Sequence, residues 1–285
     1  MSDTRQVTIV EVGPRDGLQN EPSSIPTETK IAFVDALTNA GLSVVEATSF
    51  VHPKLVPQLA DAASVMTGIT RRPGVRYPVL VPNERGLERA LEAGVDAIAL
   101  FTSATEAFCQ ANIRCSIDES FERFEPVVEM AKANGVWIRG YVSVAFTCPY
   151  GGPVEPEAPV RVAQRLLDRG CDEVSIADTI GSATPEETQR LLAAVVTELP
   201  IDRVALHFHD TRGQAIENID RAFAAGIRIF DSAAGGLGGC PFAPGAAGNV
   251  ATEKVVAFFE RQGILTGIDG DAVARAASLV RASQA

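Results

Sequence analysis

One recurring joint restricts the fold of this 285-residue sequence more than any other feature. Five amphipathic, helix-like segments each end in a residue followed by glycine, and a short apolar run comes next. The joints are Ala40-Gly41, Ala93-Gly94, Asn134-Gly135, Arg169-Gly170 and Ala225-Gly226. Glycine directly after a helix accepts the left-handed conformation that closes the helix. The repeated order of helix, glycine and strand therefore indicates an α/β chain built from similar units.

The strand-like runs number eight, and a helical segment follows each of them. The strands are predicted at residues 7–12, 44–45, 77–81, 98–100, 136–138, 174–176, 204–207 and 227–230. Eight such units without a Pro/Gly/Ser linker predict an α/β (β/α)8 TIM barrel as one domain over residues 1–285. An additional C-terminal helix, 271–281, belongs to a helical extension of about residues 264–285 outside the barrel count. The competing doubly wound sheet needs G-x-G-x-x-G after its first strand, and Val12-Gly13-Pro14-Arg15-Asp16-Gly17 does not match.

Two of the helices carry explicit start signals. Ser116 and Thr184 each precede a glutamate by three positions, which is the capping-box pattern. After Thr184, the spacing of four apolar residues predicts one buried helix face. These are Leu191, Leu192, Val195 and Val196.

Composition narrows the class of protein and its partners. The chain is 46% hydrophobic and 21% charged with a formal net charge of −11, and it has no basic cluster, so we expect no nucleic-acid partner. The uncharged stretch 232–252 is rich in glycine and contains proline, so we interpret it as a loop and expect no membrane association. The polar N-terminus favours a cytoplasmic protein. Five cysteines without a C-x-x-C motif indicate reduced thiols.

Two of the three histidines lie two residues apart at the end of the seventh predicted strand. Alternate side chains of a strand share a face, so His207 and His209 point the same way and Phe208 points oppositely. Such a pair is either a structural pair of hydrogen-bonded histidines or part of a metal site, and two ligands alone do not decide between these.

Other polar residues follow strands that should end at the same rim, where barrel enzymes hold their active sites. Asp16 follows the first strand and Asn249 follows the eighth. Singly, they read as a turn carboxylate and a helix N-cap. Together with the histidines, they form a set of two nitrogens and two oxygens. This set suits divalent Mg²⁺ or Mn²⁺ better than tetrahedral zinc.

Arg15 precedes Asp16, and Glu46 on the second strand is its candidate ion-pair partner. The pair is either purely structural or holds Arg15 so that it polarises a carbonyl whose oxygen becomes negative. Both can hold at once.

Cys240 differs from the other cysteines because it stands in Gly235-Gly236-Leu237-Gly238-Gly239-Cys240-Pro241. Glycines permit close approach to a ligand and loop movement. A phosphate-binding loop is the alternative at this place in a barrel.

At these residues the sequence resembles the 3-hydroxy-3-methylglutaryl-CoA (HMG-CoA) lyase family of metal-dependent barrels, from Val7 to about Thr266. Arg-Asp-Gly-x-Gln and His-x-His-Asp also occur in related synthases, whereas Gly-Leu-Gly-Gly-Cys-Pro is more specific to the lyases. The blocks are 15–21, 46–51, 139–143, 148–150, 178–181, 209–211 and 236–241. The sequence departs from the family pattern at Gly235, Phe208 and Arg212, the last standing where tyrosine is more usual.

The resemblance implies cleavage of HMG-CoA to acetyl-CoA and acetoacetate with a divalent metal. It implies that Asp16, His207, His209 and Asn249 are metal ligands, that Arg15 stabilises the carbonyl and that Cys240 is the acid. Either His207 or Asp16 would be the base. We count Glu46 with the catalytic residues and expect Arg15, Gln19, Ser49 and Thr179 to bind substrate.

The expected partner is an acyl-CoA, and we expect a homo-oligomer of two or more subunits. A lyase for a longer 3-substituted glutaryl-CoA, a synthase joining acetyl-CoA to a 2-oxo acid, and a barrel that only binds metal or acyl-CoA remain alternatives.

Overall fold

Eight parallel strands form the centre of the fold in the computed structural model, which describes residues 6–238 and 248–284. The strands are β1 (Thr8–Glu11), β2 (two segments, Val44–Val45 and Thr48–Ser49), β3 (Val79–Leu80), β4 (Ala97–Ser103), β5 (Trp137–Ser143), β6 (Glu173–Asp178), β7 (Val204–Phe208) and β8 (Ile229–Ser232). Every predicted strand is present. The joints are confirmed too, since the five glycines have φ between 68° and 107°.

The sheet closes on itself through β2. Neighbours run in the order β2, β1, β8, β7, β6, β5, β4, β3 and β2 again, because Val44–Val45 pair with β1 and Thr48–Ser49 pair with β3. The N–H of Val45 also donates to the Arg76 carbonyl at 3.0 Å, on the β3 side. The predicted (β/α)8 barrel is therefore confirmed.

Helices surround the barrel, and at least one follows each strand. Their bounds are α1 (Thr27–Asn39), α2 (Ala62–Gly68), α3 (Glu84–Glu92), α4 (Glu106–Ile113), α5 (Ile117–Ala133), α6 (Glu157–Asp168), α7 (Pro185–Glu198), α8 (Ala215–Ala224), α9 (Thr252–Arg261) and α10 (Gly270–Ala282). A short antiparallel hairpin, Thr147–Cys148 with Gly152–Pro153, lies between β5 and α6. The extra helix α10 packs against α1 and α9.

The two helix starts predicted from capping residues are confirmed, and the buried face predicted for one helix is partly wrong. Ser116 and Thr184 both form the reciprocal capping box. On α7, Leu191, Leu192 and Val195 are buried, but the prediction that Val196 joins them is wrong, since Val196 is 46% exposed. Val196 is four residues after the buried Leu192, so spacing alone places it on the buried face, but it lies at the edge of that face and is turned toward solvent.

In the part of the chain that the structure describes, the strands and the inner faces of the helices form one large core, and two small buried clusters lie apart from it, one around Leu80, Ala99 and Tyr141 and one around Phe108, Val144 and Cys148. Within the described residues, no helix combines the length and the apolarity needed to cross a membrane. Because the strands are parallel, their carboxyl ends meet at one rim, and the loops that follow them converge there.

Candidate active site

The four predicted metal ligands converge at this rim. Asp16 lies in a π-helical turn, Gly13–Gly17, directly after β1. His207 belongs to β7, and His209 follows it, paired through an isolated antiparallel bridge with Asn249. Residues 233 sequence positions apart are thereby brought together, since the amide nitrogen of Asn249 donates to Asp16 Oδ2 at 2.8 Å.

The ligand atoms are close enough to share one ion. One oxygen of Asp16 and one ring nitrogen each of His207 and His209 lie within 4.8 Å of one another. The two imidazole centroids are 5.2 Å apart. The interpretation of Asn249 as a helix cap is wrong, because Ala251 precedes α9 and no side chain caps it. The Asn249 amide is used instead on Asp16 and on the Leu237 carbonyl.

An unused amide oxygen, an imidazole nitrogen and two shifted pKa values suit this cluster to a cation. Within the described part of the chain, Asn249 Oδ1 is buried without a hydrogen-bond partner. His209 Nε2 lies 4.0 Å from Asp16 Oδ2. Burial favours the neutral form of Asp16, but the charges of Arg15 and the two histidines outweigh it and lower its pKa to about 2. Burial and His207 lower the pKa of His209 to about 4. At neutral pH the cluster therefore offers a carboxylate and a neutral imidazole, the forms that bind metals.

Arg15 stands beside the cluster, clamped between two carboxylates. Its guanidinium is 2.6 Å from Asp16 Oδ1 and 2.8 Å from Glu46 Oε2. Burial opposes its charge, but Glu46 and Asp16 outweigh burial and raise the Arg15 pKa above its usual value. The predicted Arg15–Glu46 ion pair is thus present, and it fixes a permanent positive charge next to the candidate ligands.

Behind this clamp, a chain of buried side chains runs through the barrel. Tyr141 donates to Glu46 at 2.9 Å, and Arg139 donates to the Tyr141 oxygen at 2.9 Å. Arg139 also donates to Asp231 at 2.6 Å, and Asp231 lies 3.3 Å from His207 Nδ1. Burial raises the pKa of Asp231, but Arg139 and His207 outweigh it, and the net shift is downward.

Sequence reasoning assigned no role to Asp231 or Arg139. A signal for both exists, since each is a charged residue directly after a predicted strand, 136–138 for Arg139 and 227–230 for Asp231. Arg139 and Tyr141 are also two positions apart and hence share a face.

Of the remaining predicted residues, one contacts the cluster, two lie at the ends of strands and one is outside the described residues. Gln19 donates to Asp16 Oδ1 at 3.1 Å and so joins the cluster. Ser49 and Thr179 lie at the carboxyl ends of β2 and β6, and their hydroxyls accept hydrogen bonds from the backbone of Val51 and Val144. Cys240 lies outside the described residues.

The glycine-rich segment is anchored on both sides of residues 239–247. Before them, the Gly238 carbonyl accepts from the backbone N–H of Asn249. Gly238 has φ of 95°, and a Cβ there would lie 3.0 Å from the Asn249 amide nitrogen, so a larger residue would press on the cluster. Earlier still, Ala234 N–H donates to the buried Glu11 carboxylate at 2.8 Å.

Comparison with known proteins identifies the family. A sequence profile described as HMGL-like matches residues 6–280. The chain is 50% identical over 265 residues to the mitochondrial hydroxymethylglutaryl-CoA lyase of Bos taurus, covering 93% of this chain and 82% of that one. It is 52% identical over 263 residues to the cytoplasmic 3-hydroxy-3-methylglutaryl-CoA lyase of Danio rerio, covering 92% and 78%.

A third relative is bacterial. The 3-hydroxy-3-isohexenylglutaryl-CoA/hydroxy-methylglutaryl-CoA lyase of Pseudomonas aeruginosa is 52% identical over 269 residues, covering 94% of this chain and 90% of that one.

Two solved structures superpose closely. Hydroxymethylglutaryl-CoA lyase from Pseudomonas aeruginosa gives a TM-score of 0.96 at 50% identity, covering 98% of this chain and 93% of that one. An HMG-CoA lyase from Acinetobacter baumannii, in complex with coenzyme A and 3-methylmalate, gives 0.92 at 38% identity, covering 99% and 92%. With a profile match over nearly the whole chain and relatives at about half identity, this chain belongs to the HMGL-like family.

Proposed function

We propose that this chain is a divalent-metal-dependent lyase that cleaves HMG-CoA to acetyl-CoA and acetoacetate. The observation that carries the proposal is the convergence of Asp16, His207 and His209 beside the Arg15–Glu46 pair. It occurs in a chain half identical to several HMG-CoA lyases. We also propose that residues 1–285 act as one barrel domain, with residues 264–285 as its extension.

In this proposal Asp16, His207, His209 and Asn249 hold Mg²⁺ or Mn²⁺. A bound divalent cation supplies Lewis acidity, which lowers the pKa of an alcohol in contact with it. The depressed pKa values of Asp16 and His209 support the assignment, because neither group carries a proton that must be displaced at neutral pH. The partnerless Oδ1 of Asn249 supports it further, as does His209 Nε2, which lies 4.0 Å from Asp16 Oδ2.

The reaction shifts electron pairs from the hydroxyl O–H bond toward the thioester carbonyl, and it begins with the loss of one proton. A base, His207 or Asp16, takes the proton of the substrate's tertiary hydroxyl. The electrons of that O–H bond form the ketone of acetoacetate. The C2–C3 bond breaks, and its electron pair passes to the thioester carbonyl as the enolate of acetyl-CoA.

Arg15 is proposed to stabilise that enolate oxygen. The guanidinium is charged at any working pH, since Glu46 and Asp16 raise its pKa. It is also immobilised by both carboxylates before the reaction begins. A preorganised charge aimed at developing negative charge lowers the barrier without reorganisation. Gln19, Ser49 and Thr179 are proposed to bind the substrate at the same rim.

Cys240 is proposed to donate its thiol proton to C2 of the enolate, giving acetyl-CoA; the proton held by the base then restores the Cys240 thiol. A thiol with a reference pKa of about 8.5 is largely protonated at neutral pH, as an acid must be. Gly238, two residues earlier in the chain, is hydrogen-bonded to Asn249 beside the cluster. This anchoring supports the assignment.

The relative from Pseudomonas aeruginosa favours a second candidate, cleavage of a longer 3-substituted glutaryl-CoA. Its name includes the isohexenyl compound, and it is as similar to this chain as the HMG-CoA lyases are. The exposed Arg212, near the Ser182 carbonyl in the turn after β6, also supports this candidate, because it stands where tyrosine is more usual in the family that the sequence resembles.

The test is incubation of the purified protein with HMG-CoA, Mg²⁺ and a thiol reductant, with acetoacetate measured against a matched sample containing EDTA. Metal-dependent acetoacetate supports the proposal. Release of CoA from acetyl-CoA plus a 2-oxo acid, without cleavage of HMG-CoA, would replace it with the synthase reaction. Binding of acyl-CoA with no turnover of any thioester would replace it with a binding role.

The proposed partner is an acyl-CoA, supported by the coenzyme A complex of the relative from Acinetobacter baumannii. We further propose a homo-oligomer and a cytoplasmic location. Relatives named as cytoplasmic and as mitochondrial are equally similar to this chain.

A further inference from the structure

The side chain that faces His207 from the neighbouring strand is Asp231. β7 and β8 are in register at this point, with His207 opposite Asp231. Asp231 Oδ2 lies 3.3 Å from His207 Nδ1, and the Asp231 side chain is completely buried. A buried carboxylate this close to one ring nitrogen decides which of the two nitrogens carries the proton.

Among the described residues, the other hydrogen bonds of Asp231 come from two donors. Oδ1 accepts from Arg139 at 2.6 Å, and Oδ2 accepts from the Ser175 hydroxyl at 2.8 Å. Arg139 compensates the buried charge, so Asp231 remains a carboxylate and can only accept hydrogen bonds. His207 must therefore donate Nδ1–H to it, and the lone pair of a neutral ring is then on Nε2.

We propose that Asp231 is a positioning residue that fixes His207 in the Nδ1–H tautomer and turns its Nε2 lone pair toward Asp16 and His209. The inference deepens the proposed function and rests on its metal site, but not on which thioester is cleaved. Carboxylates that hold the second nitrogen of a metal-binding imidazole both select the tautomer and increase its basicity.

The two histidines differ in this respect. His209 Nδ1 has no hydrogen-bond partner among the described residues, so nothing comparable selects its tautomer. His207, by contrast, is held at Nδ1 by Asp231, which leaves Nε2 for the cluster.

Arg139 connects Asp231, through hydrogen bonds, to the Arg15–Glu46 pair. It joins Asp231 to Tyr141, and Tyr141 donates to the Glu46 carboxylate that holds Arg15. One buried network thus orients both the His207 ligand and the proposed carbonyl stabiliser.

The first experiment reads the tautomer directly in metal-free wild-type protein. The chain has three histidines, so ¹⁵N-histidine NMR has three rings to resolve, and His207→Gln assigns the one of interest. At a pH where the ring is neutral, we expect the His207 proton on Nδ1. A proton on Nε2 would overturn the proposal whatever the enzyme catalyses.

The second experiment measures Mn²⁺ affinity of Asp231→Asn by electron paramagnetic resonance. With its oxygen retained on Arg139, the new amide presents NH₂ to His207 Nδ1 and selects the opposite tautomer. We expect the Mn²⁺ dissociation constant to rise by about 10–100-fold. Asp61→Asn is the control, since it neutralises the partner of another buried cation, Lys30, between α1 and α2.

These measurements separate this inference from the proposed function. Wild type that fails to bind Mn²⁺ contradicts the metal site itself. Wild type that binds Mn²⁺, with equal affinities or equal losses in Asp231→Asn and Asp61→Asn, contradicts the role of Asp231. If Asp231→Asn does not fold, the tautomer of wild-type His207 decides.

Discussion

Glu46→Gln removes the charge of the Glu46 carboxylate and keeps its shape. Glu46 Oε2 accepts from Arg15 at 2.8 Å and from Tyr141 at 2.9 Å, whereas Oε1 has no partner in the described structure. Glutamine can keep its oxygen at the Oε2 position and place its NH₂ where Oε1 was. Both hydrogen bonds then survive, but each loses the strength that the carboxylate charge gave it.

That loss sets the expected effect. A hydrogen bond to a charged group contributes about 1.5–3 kcal/mol and a neutral one about 0.5–1.5 kcal/mol, so two weakened bonds cost about 2 kcal/mol. At about 1.4 kcal/mol per factor of ten, kcat/KM for HMG-CoA should fall roughly 30-fold, mostly in kcat, because Arg15 acts on the transition state.

The assay is acetoacetate release under matched metal and reductant. Glu198→Gln serves as the control, because this exposed glutamate ends α7 at the opposite rim of the barrel. It should leave kcat/KM within about 3-fold of wild type, since surface charges contribute little. A Glu46→Gln enzyme as active as Glu198→Gln would refute the role given to the Arg15–Glu46 pair.

Two further changes test other parts of the site, and a third tests the pH dependence of stability. His209→Ala should weaken Mn²⁺ binding first, so excess Mn²⁺ should restore part of the activity; loss of activity at unchanged Mn²⁺ affinity would argue against a ligand role. Cys240→Ser should lower turnover by on the order of 10²–10⁴ while Mn²⁺ still binds, and near-normal turnover would disprove the acid assignment. Burial raises the pKa of the Glu11 carboxyl to about 7. The contribution of Glu11 to the free energy of unfolding is therefore fully present below about pH 4.5 and is lost as the pH rises through 7. Relative to wild type, Glu11→Gln should therefore gain unfolding free energy between pH 4.5 and 7 in denaturant titrations, and a difference independent of pH would contradict this.

Much of the fold is predictable because its signals are local. The glycine after each helix and the capping residues Ser116 and Thr184 depend only on neighbours in the chain, and all of them behave as the sequence indicates. Closure into a barrel follows from counting strands. Val196 was mispredicted because one helical position separates a buried residue from an exposed one, and sequence spacing does not fix that rotation.

In the candidate site, too, some features could be predicted from the sequence and others could not. Asp16, His207 and His209 were predictable because parallel strands deliver their ends to one rim. The contacts of Asn249 were not, since whether an asparagine caps a helix or binds a carboxylate 233 positions away depends on tertiary contacts that sequence spacing does not show. The pairing of Asp231 with His207 depends on the register of β7 against β8, which the sequence leaves open.

The most direct test of the central claim is a titration of metal-stripped protein with Mn²⁺, in which bound Mn²⁺ and the rate of acetoacetate release from HMG-CoA are measured on the same samples. We expect both to rise together and to saturate at one Mn²⁺ per chain, and both to be lost in His209→Ala at that Mn²⁺ concentration. Full acetoacetate release by the stripped protein in EDTA would contradict the account.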